Sequence, residues 1–434
     1  MTCSKIFSGD LPELTNEIIQ YFRNDFLTLH SCILVNRLWC RITIPLLWEN
    51  PFSKKYPKNY HFIEIYFSKL NEDDKTKLNE YGIITELLFP SMNTLFNYPN
   101  FIQHLNTYEV CNSIETWSTN KMVSNFDNNF GFIFLSLIKI FIENEVNLYT
   151  FDFEIFCTFK YIGSDCFNST LQLILQKPNF VCNIKNLNIY LGDYCDNNLS
   201  SSFIEESISK LINSQQNLKK ICFNYKKYLK NLNIFNCLNT LKTIIFHEIN
   251  LESLKINFNE AFEQQNVLES IHIINCYPLN STFIQQIINL TKPFKLKSLF
   301  IDNYSTLQIE TFKLLLQKTG QILPNKLKYL RLELKLNIND LEIFLKNSQN
   351  IFIKKLLIRN LMNRSEDILP CIKKYIMKEK RVKYLAIDEF YYNNDMNNLF
   401  ESKDEVEEFK FYGIQVKNYR GLCINDYNFI NGLY

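Results

Sequence analysis

Few residues of this chain could support catalysis, and they are widely spaced. The 434 residues include five histidines, nine glycines and thirteen cysteines. The sequence contains no glycine-rich phosphate loop, no G-x-S-x-G nucleophile turn, no H-E-x-x-H zinc motif and no C-x-x-C pair. The sequence therefore predicts a protein that is not an enzyme and that needs no cofactor.

One metal-binding alternative remains open. His247 and His272 fall on adjacent predicted strands, and Cys222 and Cys276 are the nearest further candidate ligands. A structural zinc site needs four ligands, and no other histidine or cysteine completes such a set. A histidine pair without a metal is the simpler interpretation, so no metal is predicted.

Composition narrows the class of protein and of partner. A hydrophobic content of 46% and an aromatic content of 15% predict a globular chain. A net charge of +2 argues against a nucleic-acid surface. The most apolar stretch, Phe132 to Ile142, spans eleven residues, contains Lys139 and is too short to cross a membrane. The odd number of scattered cysteines and the polar first ten residues favour reduced thiols in a cytoplasmic or nuclear protein.

The first fifty residues predict three short helices. Pro12 suits a first helical turn, and Leu14, Ile18 and Phe22 recur at helical spacing after it. Asn24 or Asp25 can cap a second helix. A third helix is expected to begin near Asn36 and to stop before Pro45. So small a module buries too little apolar area to be stable alone and usually needs a partner.

The order of motifs in this segment, L-P-x-L, then N-R-x-W, then P-x-L-W, resembles the F-box. This resemblance implies docking onto the Skp-type adaptor of a cullin–RING ubiquitin ligase. It departs from the family pattern by Asn36, where cysteine is frequent. The expected adaptor-binding residues are Leu11, Pro12, Leu14, Ile18, Phe22, Leu29, Val35, Arg37, Trp39, Pro45, Leu47 and Trp48. For Ile18, Leu29 and Val35, a role in filling a helical core is an equal alternative.

A six-residue pattern, apolar-x-x-apolar-x-apolar, recurs through the rest of the chain. Its copies begin at Ile184, Leu218, Leu241, Leu268, Leu296, Leu327, Ile353, Val382 and Val406, with weaker copies from Ile84 and Leu148. Amphipathic helices are predicted between the copies, at 203–212, 283–290, 311–318, 340–346 and 368–377. A strand and a helix repeated every 23 to 34 residues resemble a leucine-rich-repeat solenoid. The alternative is an ordinary α/β domain.

The resemblance implies a parallel concave sheet with outer helices. Residues between the apolar positions would then face outward on the concave side. They form two rows. The first is Asn188, Cys222, Ile245, His272, Phe300, Arg331, Leu357, Ala386 and Lys410. The second is Tyr190, Asn224, His247, Ile274, Asp302, Glu333, Arg359, Asp388 and Tyr412. Aromatic and charged side chains mixed in this way favour a protein target. The expected target-binding residues are His272, Phe300, Arg331, Glu333, Arg359, Asp388 and Tyr412.

The predicted fold class is an α/β repeat, in which a three-helix F-box precedes a leucine-rich-repeat-like solenoid. The predicted domains are an F-box at 1–50, a helical connector with degenerate repeats at 51–147, and the solenoid at 148–434. The expected function is that of a substrate receptor, which binds the adaptor at one end and an unknown protein target through the repeats. A repeat scaffold that does not direct ubiquitin transfer is the alternative.

Overall fold

A computed structural model describes most of the chain in two compact units, residues 1–217 and 218–434. The described residues are 11–53, 60–80, 94–121, 126–155, 164–191, 201–225, 240–249, 269–274, 276, 298–302, 326–334, 338–360, 367–390 and 396–423. The units divide at neither predicted domain boundary, and those boundaries remain predictions. No described helix is long and apolar enough to span a bilayer.

The first unit begins with three helices: α1 (Pro12–Gln20), α2 (Phe26–Ile33) and α3 (Arg37–Leu47). Two of them begin at the expected capping residues. Asp25 Oδ1 accepts from the Thr28 N–H at 3.1 Å, and Asn36 Oδ1 accepts from the Trp39 N–H at 2.9 Å. The helices enclose a small apolar core of Ile19, Leu29, Cys32, Trp39, Leu46 and Leu47. We call these three helices the N-terminal module.

The expectation that α3 stops before Pro45 is wrong, because the helix continues to Leu47. Pro45 removes one N–H in the last turn, and a helix end tolerates that loss better than a helix interior does. The Trp48 N–H still donates to the Ile44 carbonyl at 3.1 Å, which closes the turn beyond the proline.

Replacing Asn36 with alanine is expected to destabilise the first unit by about 1 kcal/mol, because the amide oxygen satisfies an otherwise unpaired N–H at the start of α3. Asn36→Asp retains an acceptor and is the matched control. Chemical denaturation of both variants measures the difference. Equal loss of stability in the two would show that the cap does not contribute.

The N-terminal module packs against the segment that follows it. The Trp48 ring lies 4.1 Å from the Tyr98 ring and 5.6 Å from the Tyr66 ring, centroid to centroid. The Glu49 carbonyl accepts from the N–H groups of Gln103 and His104 at 2.9 and 3.0 Å. Aromatic packing and backbone hydrogen bonds therefore hold the module against the rest of the first unit.

The remainder of the first unit alternates helices with parallel strands. Its elements, in chain order, are α4 (Phe62–Phe67), α5 (Glu72–Glu80), β1 (His104–Asn106), α6 (Thr107–Lys121), α7 (Phe126–Glu143), β2 (Thr150–Ile155), α8 (Ser164–Gln176), β3 (Asn186–Leu191) and α9 (Ser201–Asn213). Strand β2 pairs in parallel with β1 and with β3. The helix predicted at 203–212 is confirmed as α9.

The second unit contains a parallel sheet whose strands follow chain order. Its elements are β4 (Lys220–Tyr225), β5 (Thr243–His247), β6 (Ser270–Ile274), β7 (Ser298–Asp302), β8 (Lys326–Leu334), α10 (Ile338–Asn347), β9 (Phe352–Asn360), α11 (Leu369–Ile372), β10 (Val382–Phe390), β11 (Met396–Asn398), α12 (Lys403–Phe411), β12 (Gln415–Val416) and α13 (Tyr419–Leu422). Strands β4 to β10 pair in sequence. Both β11 and β12 pair with β10, in antiparallel and parallel orientation.

The helix predicted at 340–346 is confirmed as α10. The segment predicted at 368–377 forms α11, which continues into a π-helical turn at Lys373–Met377. The helices predicted at 283–290 and 311–318, and the copy from Ile84, lie outside the described residues.

The apolar pattern locates the strands correctly from Ile184 to Val382, and the weaker copy from Leu148 also leads into a strand, β2. The strand predicted from the copy at Val406 is wrong, because its residues form helix α12. Val406 and Phe409 are three residues apart, which suits a helix face as well as a strand. Asp404 and Glu405 in the first turn favour the helix. Lys410 therefore lies in a helix, and Tyr412 follows it.

Candidate functional site

The N-terminal module exposes apolar side chains on its first two helices and on the residues that directly follow each of them. Leu14 is 37% exposed, Tyr21 88%, Leu27 78%, Leu34 79% and Val35 43%. These five are half of the ten large apolar side chains that the described part of the chain exposes. Such a concentration within a short segment is typical of a protein-binding surface. We call these five residues, together with exposed Pro12, the N-terminal apolar surface.

The expected adaptor-binding residues divide into three groups by exposure. Pro12, Leu14, Val35 and Arg37 are exposed. Leu11, Ile18, Phe22, Pro45 and Trp48 are partly buried. Leu29, Trp39 and Leu47 are 1%, 7% and 6% exposed and belong to the core of the module. These three hold the helices together and present almost no surface to a partner.

Sequence reasoning missed Tyr21, Leu27 and Leu34. A signal for the last two was present, since α2 and the two residues after it carry apolar side chains all round: Phe26, Leu27, Leu29, Ile33, Leu34 and Val35. A helix apolar on every side is normally buried. A module of three short helices cannot bury both sides, so one side stays exposed.

In the second unit, the first of the two predicted rows is aligned as expected. The register pairs Cys222 with Ile245, Ile245 with His272, His272 with Phe300 and Phe300 with Arg331. The row is nevertheless buried at every position whose exposure the structure describes, from Cys222 to Ala386. The expectation that this row faces solvent is wrong. For Phe300 the structure describes the backbone position alone.

The histidine alternative finds no geometric support. His272 lies opposite Ile245, whereas His247 lies opposite Ile274, so the two histidines are two positions out of register. His247 Nδ1 lies 2.8 Å from the Asn224 amide nitrogen. Among the residues that the structure describes, no three histidine, cysteine or acidic side chains are grouped as metal ligands.

Lowering the pH is expected to destabilise the second unit through His272. Burial, together with the charge of Lys220, lowers the pKa of His272 to about 3. The folded protein therefore keeps this imidazole neutral where the unfolded chain, with a histidine pKa of about 6.5, takes up a proton. The stability contributed by the neutral side chain is present above pH ~6.5 and falls by about 1.4 kcal/mol per pH unit below it. Chemical denaturation at pH 7 and pH 5 should show a smaller decrease for His272→Gln than for the parent. Equal decreases would contradict the assignment.

Four expected target-binding residues form a buried ionic network with Tyr419. Glu333, Arg359 and Asp388 are register partners on β8, β9 and β10, and Arg331 is on the same face of β8. Glu333 Oε1 accepts from Arg331 Nη2 and from the Tyr419 hydroxyl, each at 2.6 Å. Arg359 lies between Glu333 and Asp388 and completes the network. We call these five residues the Tyr419 cluster.

Arg359 joins the two acids of the Tyr419 cluster. Its Nη1 lies 3.3 Å from Glu333 Oε1, and its Nε donates to Asp388 Oδ2 at 3.0 Å. The guanidinium carbon lies 4.2 Å from the centre of the Tyr419 ring, a cation–π distance. Arg359 therefore contacts both carboxylates of the cluster and the face of its aromatic ring.

Electrostatics inside the cluster favour the ionised form of Glu333 and the neutral form of Tyr419. Burial alone would raise the pKa of Glu333, but Arg331, the Tyr419 hydroxyl and Arg359 together lower it below the ordinary value. Burial, reinforced by the charge of Glu333, raises the pKa of Tyr419. Tyr419 therefore stays a hydrogen-bond donor. The cluster therefore links the sheet to the C-terminal segment, and its two acidic residues, Glu333 and Asp388, are 0% and 3% exposed.

Two further features are candidate binding surfaces: the side chain of Tyr412 with its neighbour Phe411, and a cleft beside α13. Tyr412 is partly buried, and its ring contacts that of Phe411, which is 86% exposed. A cleft lies between α13 and strands β9 and β10.

Comparison of the chain with protein-family models, with curated proteins and with solved structures found no match.

Proposed function

We propose that this chain is an F-box-type substrate receptor of a Skp–cullin ubiquitin ligase. The concentration of exposed apolar side chains on the N-terminal module carries the proposal. Two capped helices and a small closed core keep the fold of the module while Tyr21, Leu27 and Leu34 remain at the surface. An adaptor that covers them would remove apolar area from water, in an interface of about 1,200–2,000 Å² in total.

The repeated strands support the second half of the proposal, a leucine-rich-repeat-like target-binding region. Strands β4 to β10 pair in chain order and in parallel, and the apolar pattern recurs at each of them. Repeats of this kind offer extended surfaces to protein partners. The proposed mechanism is positional: adaptor and target bound to one chain gain effective concentration near each other.

A cellular comparison tests the proposal against the scaffold alternative. Tagged full-length protein is expressed in a eukaryotic cell beside its Leu27→Asp/Leu34→Asp variant, and bound proteins are identified by mass spectrometry. The parent is expected to recover a Skp-type adaptor and a cullin, whereas the variant keeps only the partners of the repeats. At least one such partner should have a longer half-life in cells that express the variant.

Two results would contradict the proposal. Recovery of no adaptor with the parent would remove the docking role. Recovery of the adaptor without a change in the half-life of any partner would favour a scaffold.

A further inference from the structure

A cleft of about 550 Å³ opens in the second unit between strands β9 and β10 and the segment that contains α13. This volume lies in the range of ordinary ligand sites. Its lining includes Lys355, Tyr384, Phe400, Lys417 and Leu422. We call it the lysine cleft.

Positive charge dominates the lysine cleft. Lys354, Lys355 and Lys417 are among its lining residues, and no described lining residue is acidic. Successive side chains of a strand point to opposite faces, so Lys355, the register partner of Tyr384, is the β9 lysine whose side chain shares a face with Tyr384. Within the part of the chain that the structure describes, none of the three ammonium groups forms an ion pair. Like charges around one concave surface raise the local concentration of anions. An anionic ligand would offset their mutual repulsion.

The lysine cleft also presents apolar surface beside these charges. Phe400 is 45% exposed, Tyr384 is partly buried, and Leu422, which is 8% exposed, is also part of the lining. A small inorganic anion gains nothing from such walls. A peptide that carries an apolar side chain next to its acidic ones would use both features.

One wall of the cleft is fixed in place. The Lys417 N–H donates to the Leu385 carbonyl at 2.9 Å, and Tyr419 is anchored on Glu333 at 2.6 Å. The cleft therefore exists before a ligand arrives, which reduces the ordering cost of binding.

We infer that the lysine cleft binds an acidic peptide segment of a partner protein, through carboxylate or phosphate side chains that flank an apolar residue. The inference deepens the proposed function: it names the chemistry of a target, and the identification of that partner as a target depends on the proposed function. Binding itself is independent of the N-terminal module, and so it is measured without an adaptor.

Fluorescence anisotropy with the full-length protein tests the inference. The probes are a short labelled peptide in which glutamates flank a leucine, the same peptide with phosphoserines, and a glutamine version. The two anionic peptides are expected to bind and the glutamine version to bind at least about tenfold more weakly, with affinity falling as salt rises. The stronger of the anionic peptides identifies the source of the charge.

Charge reversal locates the binding. Lys355→Glu/Lys417→Glu should weaken binding about tenfold or more, and the milder Lys417→Gln should weaken it in the same direction. Lys346→Glu reverses one charge on helix α10, which contributes no residue to the lining of the cleft, and should leave binding unchanged. Unfolding curves of each variant show that the fold is retained.

Three outcomes would overturn the inference: equal binding of the glutamine peptide, equal loss with Lys346→Glu, or displacement of the peptide by inorganic pyrophosphate at the same concentration as by unlabelled peptide. The last would identify a site for free anions. Loss of peptide binding in a protein that still binds the adaptor would leave the docking proposal intact, and the converse result would leave this one intact.

Discussion

Replacing Leu27 and Leu34 with aspartate is expected to weaken binding of a Skp-type adaptor by about a hundredfold or more. The two side chains are 78% and 79% exposed, so they contribute little to the core, and a partner that covers them would have to bury two carboxylates instead. A central apolar contact is worth about 2 kcal/mol or more, and each 1.4 kcal/mol is tenfold in affinity. Calorimetric titration of purified adaptor into parent and variant measures the change.

Two control variants separate docking from folding. Leu95→Asp introduces the same charge at a leucine that is 91% exposed but lies outside the N-terminal module, and it should bind the adaptor as the parent does. Leu29→Ala removes a core side chain and should lower the free energy of unfolding by about 2–5 kcal/mol. An adaptor affinity that is unchanged in Leu27→Asp/Leu34→Asp would contradict the assignment of the surface.

Replacing Glu333 with glutamine is expected to destabilise the second unit by about 3–5 kcal/mol. The substitution keeps the shape of the side chain but removes the carboxylate that pairs with buried Arg331 and with partly buried Arg359. Uncompensated buried charge costs much more than a surface ion pair contributes. Denaturant unfolding of the full-length protein measures the loss.

The stabilisation by Glu333 is expected to be lost at low pH. Because the pKa of Glu333 is lowered in the folded state, its stabilisation is present above the unfolded pKa of about 4.3 and disappears as the pH falls through the folded value. Glu333→Gln should lack this part of the acid dependence. Glu342→Gln, which breaks an exposed pair with Lys374, is the matched control for the loss of stability and should lower the free energy of unfolding by less than about 1 kcal/mol. A Glu333 variant as stable as the parent would contradict the network.

The sequence predicts the strands well because the signal is local. In each copy, such as Leu327-x-x-Leu330-x-Leu332, the last two apolar residues are spaced two apart and form one face of a strand. Another local signal, the type of the residue that precedes the helix, identifies the caps of α2 and α3 at Asp25 and Asn36. Where two periods fit equally well, as at Val406, composition of the first turn decides, and the pattern alone gives the wrong element.

The burial of the predicted target residues could not be read from the sequence. Tyr419 lies 86 residues beyond Glu333, and nothing near Glu333 indicates that a distant tyrosine covers it. Alternation of side chains along a strand tells which residues share a face, but not what else packs on that face. Exposure of Leu27 and Leu34 was predictable in principle, since it follows from the limited capacity of three short helices to bury apolar area.

The contacts of Trp48 and Glu49 have a consequence for engineering chimaeras. A fragment that ends at residue 50 would lose the contacts of the Trp48 ring with the rings of Tyr66 and Tyr98. The remaining chain would lose the acceptor for the first amides of the sheet. A transplantable N-terminal fragment should therefore extend to Asn106, the end of the first strand, because the contacts of the module continue beyond its third helix.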